Sequence, residues 1–400
     1  MQASPRREMP FGEFVALVAL LMATVAFSVD AMLPVLLPIS ADLAPGAPHA
    51  GHAVITVFMA GLGLGTFVMG PLSDAFGRRQ VILSGIAVYM LASLVAAVSG
   101  DMTTLLAARF VQGLGASAPR VISQALVRDL YTGRMMARVL SFSVTIFTLV
   151  PAVAPLIGDT LTGFFGWRAI FWAFVLFGAI TALWIFLRRD ETLPPERRRA
   201  LTLSALGQAL VIVLAHRQVR LYLAALTFSF TIMLLWISSI AAIFALSFDR
   251  AESFPLWFAF AALLSAPSSL INARLVLRLG MERLVMGSLL VQGAVSLLAL
   301  AGFGLELPFA GFALFMLFML VQFFAHGFLI GNLYALALEP MGHVAGMTAS
   351  VMGGVSTVGA AGTAALLTWL LNGTPTFLAL ASILCLLPAM AVMLMARRGA

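Results

Sequence analysis

The sequence predicts an all-α integral membrane protein with twelve transmembrane helices arranged as two six-helix halves. Of its 400 residues, 62% are hydrophobic and only 10% are charged, and the mean hydropathy is +1.06. Soluble domains carry about 25% charged residues, so this composition excludes a soluble fold. Apolar runs of about 20 residues, the length that crosses a bilayer, recur along the whole sequence.

The apolar runs number twelve, and each is predicted to form one span. They cover residues 12–38, 53–72, 80–98, 103–127, 136–160, 167–187, 219–247, 254–275, 284–302, 308–336, 345–371 and 375–395. The longest polar interruption contains prolines and paired charges, followed by a short amphipathic stretch. We therefore expect an N-terminal half at 1–187, a linker with a short amphipathic helix at 188–218, and a C-terminal half at 219–400.

The distribution of arginine predicts the orientation of the chain. All 23 basic residues are arginine. If both termini are cytoplasmic, most of these arginines lie on the cytoplasmic side, where Lys and Arg accumulate, and the outer loops hold only Arg168 and Arg250. Because the arginines are spread over many loops and form no patch interleaved with aromatic residues, we expect contact with phospholipid and no nucleic-acid partner.

The residue types present also limit the chemistry. Cys385 is the only cysteine, which excludes an intrachain disulfide, and the five histidines show no metal-ligand spacing. Without lysine there is no phosphate-binding G-K-[ST] loop, so the chain cannot itself use ATP. We therefore expect no metal, no cofactor and no catalytic cluster.

A polar segment at residues 70–79 joins spans 2 and 3. Gly70 and Pro71 are predicted to end span 2, because proline lacks the N–H that a helix needs. Gly77 permits the backbone angle that reverses the chain. The turn leaves three charges at the membrane surface: Asp74, Arg78 and Arg79. Residues 274–283 repeat a glycine with flanking arginines in the second half, with Leu277 in place of the aspartate.

Two opposite charges lie within the predicted spans of the first half. Asp30 in span 1 and Arg109 in span 4 are expected at similar depth, where they could be in contact. Charged groups inside a membrane are costly and usually functional. One interpretation is an ion pair that fixes packing. The other is proton coupling, because apolar surroundings favour a protonated carboxyl while a nearby arginine favours the charged form.

Further polar residues within the spans are candidates for a substrate cavity: Gln112, Arg120, Trp236, Gln322 and His326. Arg120 lies three helical turns after Arg109, and it either lines the cavity or extends toward the cytoplasm. His326 lies near mid-membrane, one turn after Gln322 on the same face. It is either a hydrogen-bonded packing residue or a group that titrates or contacts substrate.

Several segments resemble the major facilitator superfamily of transporters. Residues 70–79 are similar, nearly letter for letter, to its G-x-L-x-D-x-x-G-R-R motif between helices 2 and 3, and residues 109–116 to its R-x-x-Q-G-x-G motif in helix 4. The small residues of the second motif allow close helix approach. Asp30 followed by Leu33-Pro34 resembles the bicyclomycin-resistance group, which belongs to the drug:proton antiporter branch.

The resemblance implies the major facilitator fold and an activity. Expected is a monomeric carrier in the bacterial inner (plasma) membrane, with both termini cytoplasmic. It would export small amphipathic drugs of the phenicol, bicyclomycin or sulfonamide type by alternating access. The proton gradient would supply the energy, so the partners would be the drug, protons and the lipid bilayer. The alternatives are a proton symporter that imports a small metabolite, an intramembrane enzyme and a membrane scaffold.

The resemblance also assigns roles to two groups of residues. A cytoplasmic latch would comprise Gly70, Asp74, Gly77, Arg78, Arg79, Arg128 and Asp129, although an exposed Arg128–Asp129 pair could instead be of little consequence. A bend in span 5, suited to a moving gate, would comprise Pro151, Pro155, Gly158 and Asp159. Asp159 stands where exporters usually have a second glycine. It is either a proton-entry group or an ordinary acid at a helix end.

Overall fold

The computed structural model describes residues 9–47, 50–198, 203–307, 311–370 and 374–397. Its regular elements there are all helical. The chain divides into two compact units. The first consists of the residues up to Val35 together with Val57–Leu203, and the second of Leu36–Thr56 together with the residues from Ser204 onward.

Sixteen α-helices follow one another in the described residues. They are α1 (Phe11–Asp30), α2 (Leu36–Leu43), α3 (His52–Phe76), α4 (Arg78–Ala97), α5 (Met102–Leu130), α6 (Gly133–Thr148), α7 (Val150–Phe165), α8 (Ala169–Arg188), α9 (Leu203–Ala215), α10 (Arg217–Leu246), α11 (Phe254–Ser265), α12 (Pro267–Leu279), α13 (Met281–Gly304), α14 (Phe312–Leu338), α15 (Ala345–Leu370) and α16 (Pro375–Arg397). Short 3-10 helices occupy Leu33–Val35, Pro195–Arg197 and Glu339–Val344.

Ten helical segments of the described chain are long and apolar enough to cross a membrane. They are Phe11–Leu43, α3, α4, α8, α10, Phe254–Leu279, α13, Phe312–Met341, Gly346–Thr368 and α16. The all-α membrane fold is thereby confirmed, whereas the count of twelve is not. Predicted spans 4 and 5 are not among the ten, since α5 carries two arginines in its interior and span 5 is divided into α6 and α7. The predicted start at 308 and end at 371 lie outside the described residues.

The turn between α3 and α4 corrects one prediction and confirms another. Gly70 and Pro71 do not end the helix, because α3 continues through Pro71 to Phe76. Proline is tolerated in membrane helices where other groups compensate locally for the lost backbone bond, and here the Ser73 hydroxyl donates to the Gly70 carbonyl at 2.8 Å. The chain reverses at Gly77, with φ +101°. α12 and α13 are joined in the same way, at Gly280 with φ +79°.

Glycines bring α4 and α5 into close contact in the first unit. A Cβ atom on Gly115 would lie only 2.6 Å from the Gly85 carbonyl oxygen and the Tyr89 amide nitrogen. On another side of α5, a Cβ on Gly113 would overlap the Phe58 carbonyl of α3. Small residues at such positions let helix backbones approach each other within a membrane. The expectation of close helix packing around these glycines is confirmed.

Candidate functional site

A break in the first membrane segment places Asp30 at the end of a helix. Pro34 follows four residues later, and its ring can neither donate to the Asp30 carbonyl nor fit beside it in a continuous helix. α1 therefore ends at Asp30. The Met32 N–H bonds the Val29 carbonyl at 3.1 Å, one residue short of its usual acceptor, Ser28. The Ser28 carbonyl is thus available to another donor.

Arg109 supplies that donor from α5. Its Nη2 donates to the Ser28 carbonyl at 3.1 Å, and its Nη1 donates to Gln112 Oε1 at 2.5 Å. The guanidinium also lies over the Phe58 ring, 4.3 Å from its centre. Arg109 is completely buried, and Asp30 is only 5% exposed. The structure therefore brings Arg109 to the residue two positions before Asp30, while direct contact between the two side chains stays a prediction.

Tyr89 of α4 belongs to the same group of buried polar residues, although it was not among the residues predicted from the sequence. Its hydroxyl lies 2.7 Å from Ser28 Oγ. Because the Ser28 hydroxyl hydrogen is donated to the Thr24 carbonyl at 2.6 Å, Tyr89 must be the donor in this pair. Gln112 Nε2 donates to Ser93 Oγ at 2.7 Å, which ties α5 to α4. A Tyr and a Ser four residues apart on an apolar span were a usable sequence signal.

The predicted gate residues lie on α7, and one of them contacts the break in α1. A Cβ atom on Gly158 would overlap the Ala31 carbonyl oxygen, directly after Asp30. Pro155 is buried, Pro151 is half-buried and Asp159 is exposed. The absence of a side chain at Gly158 therefore allows α7 to pack against the backbone at this break.

Arg78 is the centre of a charged cluster at the Gly77 turn. It is 5% exposed, and its guanidinium pairs with Asp74 at 2.5 Å and with Asp129 at 3.1 Å. Ser73 Oγ accepts a further bond from it at 2.6 Å. We call Ser73, Asp74, Arg78 and Asp129 the Gly77 cluster. In the part of the chain that the structure describes, Arg128 is exposed and forms none of these contacts.

Glu191 binds the start of α4, although it was not among the residues predicted from the sequence. Its carboxylate accepts the backbone N–H groups of Arg78 at 2.8 Å and Arg79 at 3.1 Å. Carboxylates stabilise helix N-termini because of the unpaired N–H groups and the helix dipole there. A Cβ at Gly77 would overlap this carboxylate. The Arg79 side chain donates to the Phe186 carbonyl at 2.8 Å, so the turn is tied to the end of α8 and the residues after it.

The second unit has its own buried polar group. Gln322 Nε2 of α14 donates to Ser296 Oγ of α13 at 3.0 Å, as Gln112 does to Ser93 in the first unit. We call these contacts the two Gln–Ser pairs. His326 is 7% exposed, and its Nε2 and Gln322 Oε1 have no hydrogen-bond partner among the described residues.

The remaining cavity candidates differ in their surroundings. Trp236 is fully buried against the rings of Phe315, Phe318 and Phe323, and its indole N–H has no partner within the described chain. Arg120 is half-buried on α5. Gln112 and Arg120 thus belong to the first unit, while Trp236, Gln322 and His326 belong to the second.

Two bacterial proteins resemble this chain in sequence, and a solved structure resembles it in fold. A bicyclomycin resistance protein homolog of Haemophilus influenzae is 30% identical over 343 residues, covering 86% of this chain and 85% of that protein. The multidrug resistance protein MdtL of Escherichia coli is 33% identical over 140 residues, or 35% of this chain and 36% of its own length. Among solved structures, a D-xylose-proton symporter superposes with a TM-score of 0.73 at 12% identity, covering 94% of this chain and 96% of that one.

The family is settled by a match that extends over most of the sequence. The model of the Major Facilitator Superfamily matches residues 18–366, which include the break in α1, the Gly77 cluster and both Gln–Ser pairs. The resemblance found in the sequence is thereby confirmed. This multi-pass membrane protein belongs to the Major Facilitator Superfamily, a family of transporters rather than enzymes.

Proposed function

We propose that the chain exports small amphipathic drugs across the bacterial inner membrane in exchange for protons. The names of the relatives, which refer to bicyclomycin and multidrug resistance, support a drug as cargo. The observation that carries the proton coupling is the position of Asp30, a nearly buried carboxyl at a helix break. Access would alternate between the two sides of the membrane.

Asp30 is proposed to carry the proton, with Arg109 as its modulator. A charged carboxylate is costly in apolar surroundings, and protonation removes that cost. Arg109, anchored on the Ser28 carbonyl, would stabilise the charged form from nearby. A site in which both forms are accessible can bind a proton on one side of the membrane and release it on the other.

The cargo is proposed to meet the second unit at His326 and Gln322. Their unpartnered Nε2 and Oε1 atoms offer hydrogen bonds to a polar part of a drug. Phe323, the partly exposed ring of those around Trp236, offers an apolar surface to the aromatic part of the drug. Such surroundings suit phenicol-, bicyclomycin- or sulfonamide-like compounds. Trp236, which is fully enclosed, would support this site from behind within the second unit. Gln112 and Arg120 are proposed as separate candidates for cargo contact in the first unit.

The proposed topology has twelve spans and cytoplasmic termini in a monomer. The two spans beyond the ten apolar ones would be α5 and the pair α6–α7. α5 has 29 residues, and at about 1.5 Å per residue it is long enough to cross. The Gly77 cluster would then lie on the cytoplasmic side as a latch, and α7 would act as a gate.

The coupling is tested with Asp30→Asn in everted membrane vesicles that carry a pH gradient. We expect drug uptake into these vesicles to fall to the level of vesicles without the transporter, because asparagine cannot exchange a proton. The measurement is accumulation across a drug panel, alongside the amount of protein in the membrane. Asp249→Asn, which alters an exposed acid in the turn after α10, is the matched control and should pump normally.

Two results would contradict the proposal. Normal pumping by Asp30→Asn would remove Asp30 from the coupling. Accumulation only in right-side-out vesicles would reverse the direction and favour the alternative of a proton symporter that imports a small metabolite.

A further inference from the structure

Tyr89 occupies a position at which the two units differ around their Gln–Ser pairs. Tyr89 lies four residues before Ser93, and its backbone carbonyl accepts a bond from the Ser93 hydroxyl. Gln292 holds the equivalent position in the second unit, because its carbonyl accepts a bond from the Ser296 hydroxyl. The side chain of Gln292 stays within its own helix pair, donating to the Gln322 carbonyl of α14 at 3.3 Å. The Tyr89 side chain instead reaches a third helix, α1, which ends in Asp30.

Two atoms of Ser28 therefore accept hydrogen bonds from other helices. Its hydroxyl accepts from Tyr89 at 2.7 Å, and its carbonyl accepts from Arg109 at 3.1 Å. Both bonds are buried, and each comes from a different helix. The bond to the Thr24 carbonyl keeps the Ser28 hydroxyl oriented so that it can only accept from Tyr89. The position of Ser28 in turn sets the last turn of α1, where Asp30 lies two residues later.

We propose that Tyr89 is a positioning residue for proton exchange at Asp30. Its hydroxyl holds Ser28 so that the Ser28 carbonyl receives Arg109 and the end of α1 keeps Asp30 in place. This proposal rests on the proposed function, since it concerns the geometry of the same proton site. It adds a residue outside the motifs that carry the family resemblance.

The charged and titratable groups around this end of α1 come from three helices in the described first unit. Arg109 lies on α5, Tyr89 on α4 and Asp159 on α7, next to Gly158. Asp159 is exposed, so its contribution can be measured separately with Asp159→Asn. Arg188 of α8 is engaged elsewhere, in an ion pair with Glu13 at 2.5 Å.

The test uses the purified transporter in detergent and follows the protons released when a transported drug is added at different pH values. Tyr89→Phe removes one hydroxyl and keeps the ring. We expect the pH midpoint of proton release to move by about 0.5 unit or more, the size that loss of one hydrogen bond near a titrating group produces. The affinity for the drug at the optimal pH should change less than about twofold, because Tyr89 acts through Ser28.

Matched variants distinguish a positioning role of Tyr89 from a nonspecific loss of stability. Ser28→Ala removes the acceptor and should shift the midpoint by itself, and Tyr89→Phe in that background should add nothing, since both changes remove the same bond. Tyr131→Phe removes a hydroxyl from a residue that packs on Phe14 and should leave the midpoint unchanged. A wild-type pH midpoint for Tyr89→Phe, or full additivity with Ser28→Ala, would overturn the assignment.

The two proposals fail in different ways. If the wild type releases no protons on drug binding, or Asp30→Asn still releases them, the proposed function fails. If release depends on Asp30 but is unaffected by Tyr89→Phe, only the role of Tyr89 is lost.

Discussion

The side chain of Arg109 illustrates what a buried charge requires at the scale of single residues. A guanidinium carries five N–H donors, and taking it out of water is costly unless these donors find acceptors. Gln112, the Ser28 carbonyl and the face of Phe58 provide part of this environment. The Ser28 carbonyl is open to Arg109 because the Met32 N–H bonds the Val29 carbonyl instead, at the end of α1.

Asp101, the N-cap residue directly before α5, gives a prediction about the pH dependence of stability. It accepts bonds from the Thr104 N–H at 2.8 Å and the Thr104 hydroxyl at 2.7 Å. These bonds hold the pKa of Asp101 below its ordinary value of 3.8. A lowered pKa in the folded state means that the charged form stabilises the fold above pH 3.8, and that this contribution is lost as the pH falls through the folded-state value.

We therefore expect Asp101→Ala to lower the unfolding temperature in detergent at pH 7, and the difference from wild type to shrink toward pH 3. Asp101→Asn is the control, because asparagine is also a good helix N-cap but carries no charge. It should stay close to wild type at pH 7 and become more stable than wild type toward pH 3, because only the wild-type carboxylate loses its charge. An Asp101→Ala deficit that is constant from pH 7 to pH 3 would contradict the assignment.

At the scale of helices, the contact between α7 and the break in α1 predicts that alanine is tolerated at one glycine of α7 and not at another. Gly158→Ala places a methyl group on the Ala31 carbonyl, whereas Gly163, on the same helix, has open space. Overpacking of this kind costs about 1–3 kcal/mol. We expect Gly158→Ala to lower the unfolding temperature and slow drug export, and Gly163→Ala to do neither.

The measurements are thermal unfolding in detergent and initial rates in everted vesicles. Equal behaviour of the two variants would show that the approach of α7 to α1 does not matter for transport.

The helices show which parts of the site could be read from the sequence. Asp30, Arg109 and the close-packing glycines were accessible, because buried charges and small residues stand out in apolar runs. The polar face formed by Tyr89 and Ser93 was visible in the sequence, but the partners of Tyr89 and Glu191 were not. Their partners lie 61 and 113 residues away along the chain, and only the folded helices bring them together. The expected helix end at Gly70 was wrong because a proline with local compensation does not stop a membrane helix.

At the scale of the whole molecule, the Gly77 cluster predicts a change in rate without a change in cargo. Asp74→Asn weakens one of the two ion pairs of Arg78, while Asp129 and Ser73 remain. We expect the fold to persist and export to slow by several-fold for every drug carried, because the cluster would govern the change of conformation. The measurement is the export rate across a drug panel.

Arg128→Gln is the control for this experiment. It removes a neighbouring but exposed charge and should leave the rates nearly unchanged. An altered drug spectrum at an undiminished rate for Asp74→Asn would mean that this cluster helps to select cargo.

The two Gln–Ser pairs indicate how the two halves of the protein are related and which half can be engineered. Together with the turns at Gly77 and Gly280, they are what an ancient gene duplication would leave behind, a common skeleton kept in both copies. The two halves differ at Tyr89 and Gln292, and at Asp74 and Leu277. Under the proposed function, the first half would bind and release the proton and the second would be free to vary. We expect directed evolution confined to the second copy to redirect the pump to new compounds while its proton drive stays intact.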